Sequence, residues 1–148
     1  MGEPTVVKIR VLLVDDEEEF VECLAQRLEI REFDVITAFN GADALERLEH
    51  EEVDLVILDL QMPDVDGLAV LRKIKELKPL IEVIMLTGHA TVETAIEGMK
   101  LGAFDFLIKP TETEELVEKI NRAFGRKAEQ DERIREAEVE RIVKTRGW

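Results

Sequence analysis

Three carboxylates, a hydroxyl and an ammonium stand at the ends of four short apolar runs in this chain. Val11-Leu12-Leu13-Val14 runs into Asp15-Asp16, Leu55-Val56-Ile57-Leu58 into Asp59, Val83-Ile84-Met85-Leu86 into Thr87, and Phe106-Leu107-Ile108 into Lys109. Brought to one edge, that set is suited to holding a divalent cation and a phosphoryl group. Carboxylate oxygens are the ligands a hard cation takes, and an ammonium is a compact counter-charge for phosphoryl oxygens. Two carboxylates 4 Å apart repel by about 4 kcal/mol at an effective dielectric of 20. Three together are strained or partly protonated unless a counterion joins them.

Such a convergence demands particular elements. Apolar runs without polar alternation suit strands covered on both faces, as in a parallel sheet. In an open sheet of that kind, sites gather outside the carboxyl ends of the strands. The spacing predicts strand then helix five times, with strands over about 8–14, 34–39, 53–58, 82–86 and 104–108. The first helix, about 17–29, is expected to bury Phe20, Leu24 and Leu28 at four-residue spacing. Asn40-Gly41 opens a second carrying Ala44, Leu45 and Leu48. Pro63-Asp64 and Asp66-Gly67 are turn signals ahead of a third with Leu68, Leu71, Ile74 and Leu77, and Pro79 lies just beyond its end. The fourth carries Val92, Ala95, Ile96 and Met99, and Gly102 suits its C-terminal cap. The last begins near Thr111-Glu112-Thr113-Glu114 and turns Leu116, Ile120 and Phe124 inward. Five strand–helix units with short loops imply right-handed crossovers and an α/β, doubly wound, five-stranded parallel sheet.

Bulk properties exclude several classes. At 148 residues the chain has room for one domain with a real core, and 45% apolar residues is a globular composition. A net charge of −14 argues against direct nucleic-acid binding, which needs clustered Lys and Arg. No apolar stretch approaches the roughly 18 residues of a membrane span. MGEPTVVKIR has no apolar secretory core and no Ser or Thr where myristoylation wants one. A single cysteine, Cys23, excludes an internal disulfide and fits a reducing cytoplasm. It is expected to be a buried, inert thiol between Phe20 and Leu24. His50, within Glu49-His50-Glu51-Glu52, is expected on the surface.

Four pieces in order resemble the receiver domain of two-component response regulators. They are Leu13-Val14-Asp15-Asp16-Glu17, Asp59-x-x-Met62-Pro63-x-x-x-Gly67, Leu86-Thr87-Gly88 and Lys109-Pro110, within about residues 7–125. The stretch from Leu86-Thr87-Gly88-His89-Ala90 to Gly102-Ala103-Phe104-Asp105-Phe106-Leu107-Ile108-Lys109-Pro110 is most similar to receivers of the nitrogen-regulation activator class. The resemblance implies a flavodoxin-like (βα)5 fold of strand order 2-1-3-4-5, with residues 1–125 as receiver and 126–148 as a charged helical extension or linker. It implies that Asp59 accepts a phosphoryl group from a sensor histidine kinase. Mg²⁺ is the implied cofactor, with Asp16 and Asp59 as direct ligands, Asp15 through water, and the Gln61 backbone carbonyl as a further ligand. Lys109 would pair with Asp59 before phosphorylation and with phosphoryl oxygens after it. Thr87 would donate its hydroxyl to a phosphoryl oxygen, and the Phe106 ring would follow the Thr87 loop inward. His89 stands where the family tunes hydrolysis, the alternative being a solvated loop residue. Lys109-Pro110 is a cis candidate on the same ground.

Residues 111–148 hold 10 acidic and 9 basic residues, so nearly all the net charge belongs to the rest of the chain. Ile134, Ala137, Val139, Ile142 and Val143 keep no clean heptad. A solvated helix, a dimerising helix and a signalling linker to an output domain outside this chain all remain open. No G-x-x-x-x-G-K-[ST] occurs, so a P-loop ATPase is not present. A haloacid-dehalogenase-type phosphatase would want D-x-D-x-[TV] after the first strand, where Asp15-Asp16-Glu17-Glu18-Glu19 stands. A flavodoxin-like cofactor binder would want a glycine- and hydroxyl-rich loop there, and five acids would repel its phosphate. The remaining alternative is a degenerate receiver acting by protein contacts alone, disfavoured because every functional position is filled. The expected partners are a sensor histidine kinase, a second copy of the chain, and an output domain or downstream protein. A separate enzymatic turnover is not expected.

Overall fold

A computed structural model describes residues 8–62, 65–88 and 91–145. The expected turn at Pro63-Asp64, His89 and the first seven residues lie outside that set. The chain runs β1 (Arg10–Val14), α1 (Glu18–Ile30), β2 (Asp34–Ala38), α2 (Gly41–His50), β3 (Leu55–Leu58), a small antiparallel hairpin β4 (Gln61–Met62) and β5 (Val65–Asp66), α3 (Gly67–Leu77), β6 (Glu82–Thr87), α4 (Val92–Lys100), β7 (Asp105–Ile108) and α5 (Thr113–Thr145). The main sheet is fully parallel in the order β2-β1-β3-β6-β7. Counted over its own five strands this is the expected 2-1-3-4-5. The hairpin was not foreseen.

Strand alternation divides the core between two layers. Val11, Leu13, Leu55, Ile57, Ile84 and Leu86 face α1 and α5, where Val21, Leu24, Leu28, Leu116, Ile120 and Ala123 meet them. Leu12, Val14, Val56, Leu58, Val83 and Met85 face the other way, against Ala44, Leu48, Val70, Leu71 and Ile74. Every residue of β3 and β6 is buried, as covering on both faces requires.

Three ends show why the helices stop and start where they do. Asn40 caps α2 by accepting from the Asp43 backbone N–H at 2.8 Å. Gly102, at φ 104, follows α4 and closes a Schellman motif, its own N–H bonding to Met99 O and that of Ala103 to Gly98 O. The same motif ends α1, but Glu32 occupies the left-handed position at φ 68. The Lys109–Pro110 bond is cis.

Three expectations are corrected. Cys23 is exposed, because the buried stripe of α1 is Val21, Leu24, Ala25 and Leu28 and position 23 falls outside it. Phe20 is accordingly only half-buried. On α4, Val92, Ile96 and Met99 are 77%, 49% and 43% exposed, since the helix covers the sheet with Ala95 and Gly98. A Cβ at Gly98 would lie 2.3 Å from the Met85 sulfur, so the small residues set the approach. Leu77 is also exposed, at 38%, and His50 is exposed as expected. α5 is 33 residues long and runs unbroken past Gly125, about 50 Å in all at 1.5 Å per residue.

Candidate functional site

The parallel register brings the strand ends to one edge of the sheet. Val14 pairs with Leu58, and Thr87 with Ile108, so the residues that follow them leave the sheet side by side. Backbone hydrogen bonds continue the ladder through the site. The Asp59 N–H reaches Val14 O at 2.9 Å, and the Lys109 N–H reaches Thr87 O at 2.9 Å. Asp15, Asp59 and Thr87 are buried. Each acid is also held from its own loop: Asp15 Oδ1 accepts from the Glu17 N–H and Asp59 Oδ1 from the Gln61 N–H, both at 3.0 Å. These are Asx turns, in which a short carboxylate side chain bonds the backbone two residues on.

Gly67 secures the loop that follows Asp59. A Cβ there would sit 2.4 Å from the Leu60 Cα and carbonyl oxygen, so no other residue lets α3 begin this close. Asp66 caps that helix by accepting from the Leu68 N–H at 3.1 Å. The β4–β5 hairpin and the start of α3 thereby fix the turn carrying Gln61.

The Lys109 ammonium lies among three carboxylates, 2.5 Å from Asp15, 3.4 Å from Glu17 and 3.7 Å from Asp59. The expected resting partner was Asp59; the closer one is Asp15. Carboxylate oxygens of Asp15, Glu17 and Asp59 all lie within 4.8 Å of one another. Burial pushes the Asp15 carboxyl up from 3.8 to about 6, with the charge of Asp59 adding to the rise, against the opposing pull of Lys109 and the Glu17 N–H. Burial lowers the Lys109 ammonium, but Asp15, Asp59 and Glu17 more than reverse this and leave it above its ordinary value. Three acids sharing one cation, two of them buried, form a site short of positive charge. Their oxygens are of the type and spacing that a divalent cation takes.

Asp16, expected as a ligand, is half-buried and stands outside this group of carboxylates; Gln61, expected to offer its backbone carbonyl, is exposed. Thr87 sits at the end of β6, next to Gly88, where an added Cβ would meet nothing within 4 Å. Phe106 is half-buried, packed against the α2–α4 layer, and pairs with Met85 across the sheet.

Two residues of the site carried no assignment from the sequence. Glu17 leads into α1 without a side-chain cap bond, which leaves its carboxylate for Lys109. Its place in Asp15-Asp16-Glu17 was the available signal. The Phe20 ring lies 4.2 Å below the Lys109 ammonium, a cation–π contact. Nothing local in sequence marks that pairing. A cavity of about 610 Å³ lined by His50, Glu52, Leu77, Lys78 and Pro79 lies at the opposite edge of the sheet. The carboxylates are therefore distinguished by charge and geometry, not by the size of a cleft.

A family model described as the response regulator receiver domain matches residues 11–121. The transcriptional regulatory protein ZraR of Salmonella typhimurium is 38% identical over 118 residues, 80% of this chain and 27% of its own length. A putative NtrX-like response regulator of Rickettsia felis is 41% identical over 118 residues, 78% of this chain and 25% of its own. Among solved structures, a receiver domain from Methanospirillum hungatei superposes with a TM-score of 0.80 at 29% identity, over 84% of this chain and 99% of that one. NtrX from Brucella abortus gives 0.79 at 32% identity, over 85% of this chain and 29% of that one. The chain thus spans about a quarter of the length of those two curated relatives.

Proposed function

The chain belongs to the response regulator receiver domain family, and from that premise we propose that it is a phosphorylation-driven signalling switch with Asp59 as its phosphoacceptor. The observation that carries this reading is Lys109, one ammonium shared by three carboxylates and held between Asp15 and Asp59.

The donor is the phosphohistidine of a sensor histidine kinase. One Asp59 carboxylate oxygen attacks phosphorus in line, the P–O bond forms as the P–N bond breaks, and the imidazole nitrogen keeps the electron pair. Chemistry of this kind depends on positioning and charge neutralisation more than on proton transfer. Asp59 is fixed for attack by the Gln61 N–H on its other oxygen. Lys109 leaves Asp15 and swings to the incoming phosphoryl oxygens. Asp15, Asp16, Asp59 and the Gln61 carbonyl are the groups that would hold Mg²⁺, with Glu17 close enough to join them. Bound there, the cation would supply positive charge beyond that of Lys109 to offset the negative oxygens of acceptor and donor.

Once Asp59 carries the new dianionic group, Thr87 donates its hydroxyl to it and draws in the loop beginning at Gly88. Phe106, on the strand beside Thr87, follows. The response is read on the α4–β7 face, where Val92, Ile96, Met99 and Ile108 are exposed together. That face takes a second copy of the chain or a downstream partner. The reaction consumes no separate metabolite, so the domain is a switch and not a metabolic enzyme. The kinase-facing switch acts in the cytoplasm; among the described residues no helix is long and apolar enough to cross a membrane. Residues 1–125 act as the receiver, and 126–148 as an extension toward an output domain.

Intact mass after incubation with acetyl phosphate and Mg²⁺ tests the reading. The wild type is expected to gain one phosphoryl group, and Asp59→Asn and an EDTA-treated sample none. Failure to gain mass, together with failure to bind beryllofluoride, overturns it in favour of a degenerate receiver acting by contacts alone.

A further inference from the structure

Glu82 is a carboxylate that the phosphoryl chemistry does not use. It opens β6 at the edge opposite Asp59, and only 3% of it is exposed. Strand alternation places it in register with Ile84 and Leu86, on the layer packed by α5. There Arg126, just past Gly125, brings its guanidinium to 3.7 Å. Arg126 also lies 5.8 Å over the Phe104 ring, so the contact has two supports. From the other layer comes Lys75 of α3. Its stem lies along Gly102, and its ammonium donates to the Ile81 carbonyl at 2.7 Å, one residue before Glu82. Burial lowers the proton affinity of Lys75, the charge of Glu82 raises it, and Arg126 lowers it again. Two cations from two layers thus stand about one carboxylate, and the nearer belongs to α5.

We propose that Glu82 is a two-partner latch, pinning α5 beyond residue 125 through Arg126 while Lys75 waits as the substitute counter-charge. A buried carboxylate stripped of its partner is strongly unfavourable. If Arg126 alone neutralised Glu82, this stretch of α5 would be locked to the sheet. With Lys75 one carbonyl away, α5 detaches by an exchange of partners, and no charge is left unpaired. The extension is then rigid with the sheet when Arg126 is engaged and free to swing when Lys75 takes over. The proposal goes beyond the phosphoryl reading, and its test uses no phosphorylation, so either can fail alone.

The test compares wild type, Arg126→Gln, Lys75→Met and the double variant in the full chain, by hydrogen exchange and thermal melting. Arg126→Gln is expected to lose about five- to tenfold of the amide protection in α5 around residues 122–131, with Tm within about 3 °C of wild type. Lys75→Met is expected to leave that protection and Tm nearly unchanged. The double variant is expected to melt on the order of 10 °C lower, far more than the sum. Adding Glu82→Gln to the double variant should remove most of that excess. Unchanged α5 protection in Arg126→Gln overturns the pin. Strictly additive melting shifts, or an Arg126→Gln shift as large as that of the double variant, overturn the exchange.

Discussion

The two edges of one sheet each set buried carboxylate against cation, and they do so in opposite proportion. At the carboxyl edge three acids, Asp15, Glu17 and Asp59, share Lys109. At the amino edge one acid, Glu82, has Arg126 as partner and Lys75 close by. The ingredients are alike and the consequences differ. A surplus of buried negative charge is completed only by something brought from outside, a cation or a group that carries one in. A surplus of positive charge around one carboxylate gives alternatives that lie within the chain. The first edge is built to receive a ligand, the second to exchange internal partners.

Removing Lys109 should break the comparison at its most sensitive point. In Lys109→Met the carboxylates lose the ammonium that all three ion pairs share, and two of them are buried. Without divalent cation the expected cost is about 3–5 kcal/mol, the range for breaking a buried pair. Because Mg²⁺ can replace the missing charge, millimolar Mg²⁺ should return much of that loss, and should help this variant more than wild type. Urea titrations with EDTA and with Mg²⁺ measure both. Equal Mg²⁺ stabilisation of the two proteins would mean that the cation does not compensate the same charges.

A smaller effect follows from Asp15. Its carboxyl is held up at about 6, against 3.8 when free, so the folded state binds this proton more tightly than the unfolded one. Ionised Asp15 therefore costs stability above pH 6, by about 3 kcal/mol in full, and the cost fades as pH falls toward 4. Lys109, raised in the fold, contributes stability that is fully present below its ordinary pKa and lost only in strong alkali. It adds no slope between pH 4 and 8. In EDTA, Asp15→Asn should be about 2–3 kcal/mol more stable than wild type at pH 7.5, and that advantage should shrink to about 1 kcal/mol at pH 4.5. A stability difference that stays constant across that range would contradict the cause assigned to the raised carboxyl.

The carboxyl edge was legible in sequence and the amino edge was not, and the reason is local. Val14, Leu58, Leu86 and Ile108 each precede a reactive residue, and a parallel sheet aligns strand ends whatever the helices do. So Asp15, Asp59, Thr87 and Lys109 could be placed together from strand ends alone. Lys109 does pair with the expected Asp59, at 3.7 Å, but which carboxylate it meets most closely depends on side-chain reach, and that one is Asp15. Glu17 and Phe20 join the site through the entry angle of α1, which no spacing rule gives. α4 misled because apolar spacing marks a face without saying what covers it. Ala95 and Gly98 bring the helix close, and the larger Val92, Ile96 and Met99 stay in solvent. At the amino edge, Glu82 did break the alternation of Ile84 and Leu86, yet its partner lies on a helix whose path needed the structure.

The smallest prediction tests whether the amino edge is indifferent to the ligand. Glu32 holds the left-handed position that ends α1, at φ 68, where a Cβ crowds the following carbonyl. The Phe33 N–H still reaches Leu28 O at 3.1 Å, so the turn is complete despite the wrong residue. Glycine adopts this conformation without steric penalty, though it gives back part of the gain through a freer unfolded chain. Glu32→Gly should therefore raise stability by about 0.5–1 kcal/mol. The gain should be the same with EDTA and with Mg²⁺, because this turn lies at the edge away from the carboxylates. Parallel urea titrations decide it. A gain that appeared only with Mg²⁺ would mean that strain at one edge is felt at the other, and that the two edges are not independent.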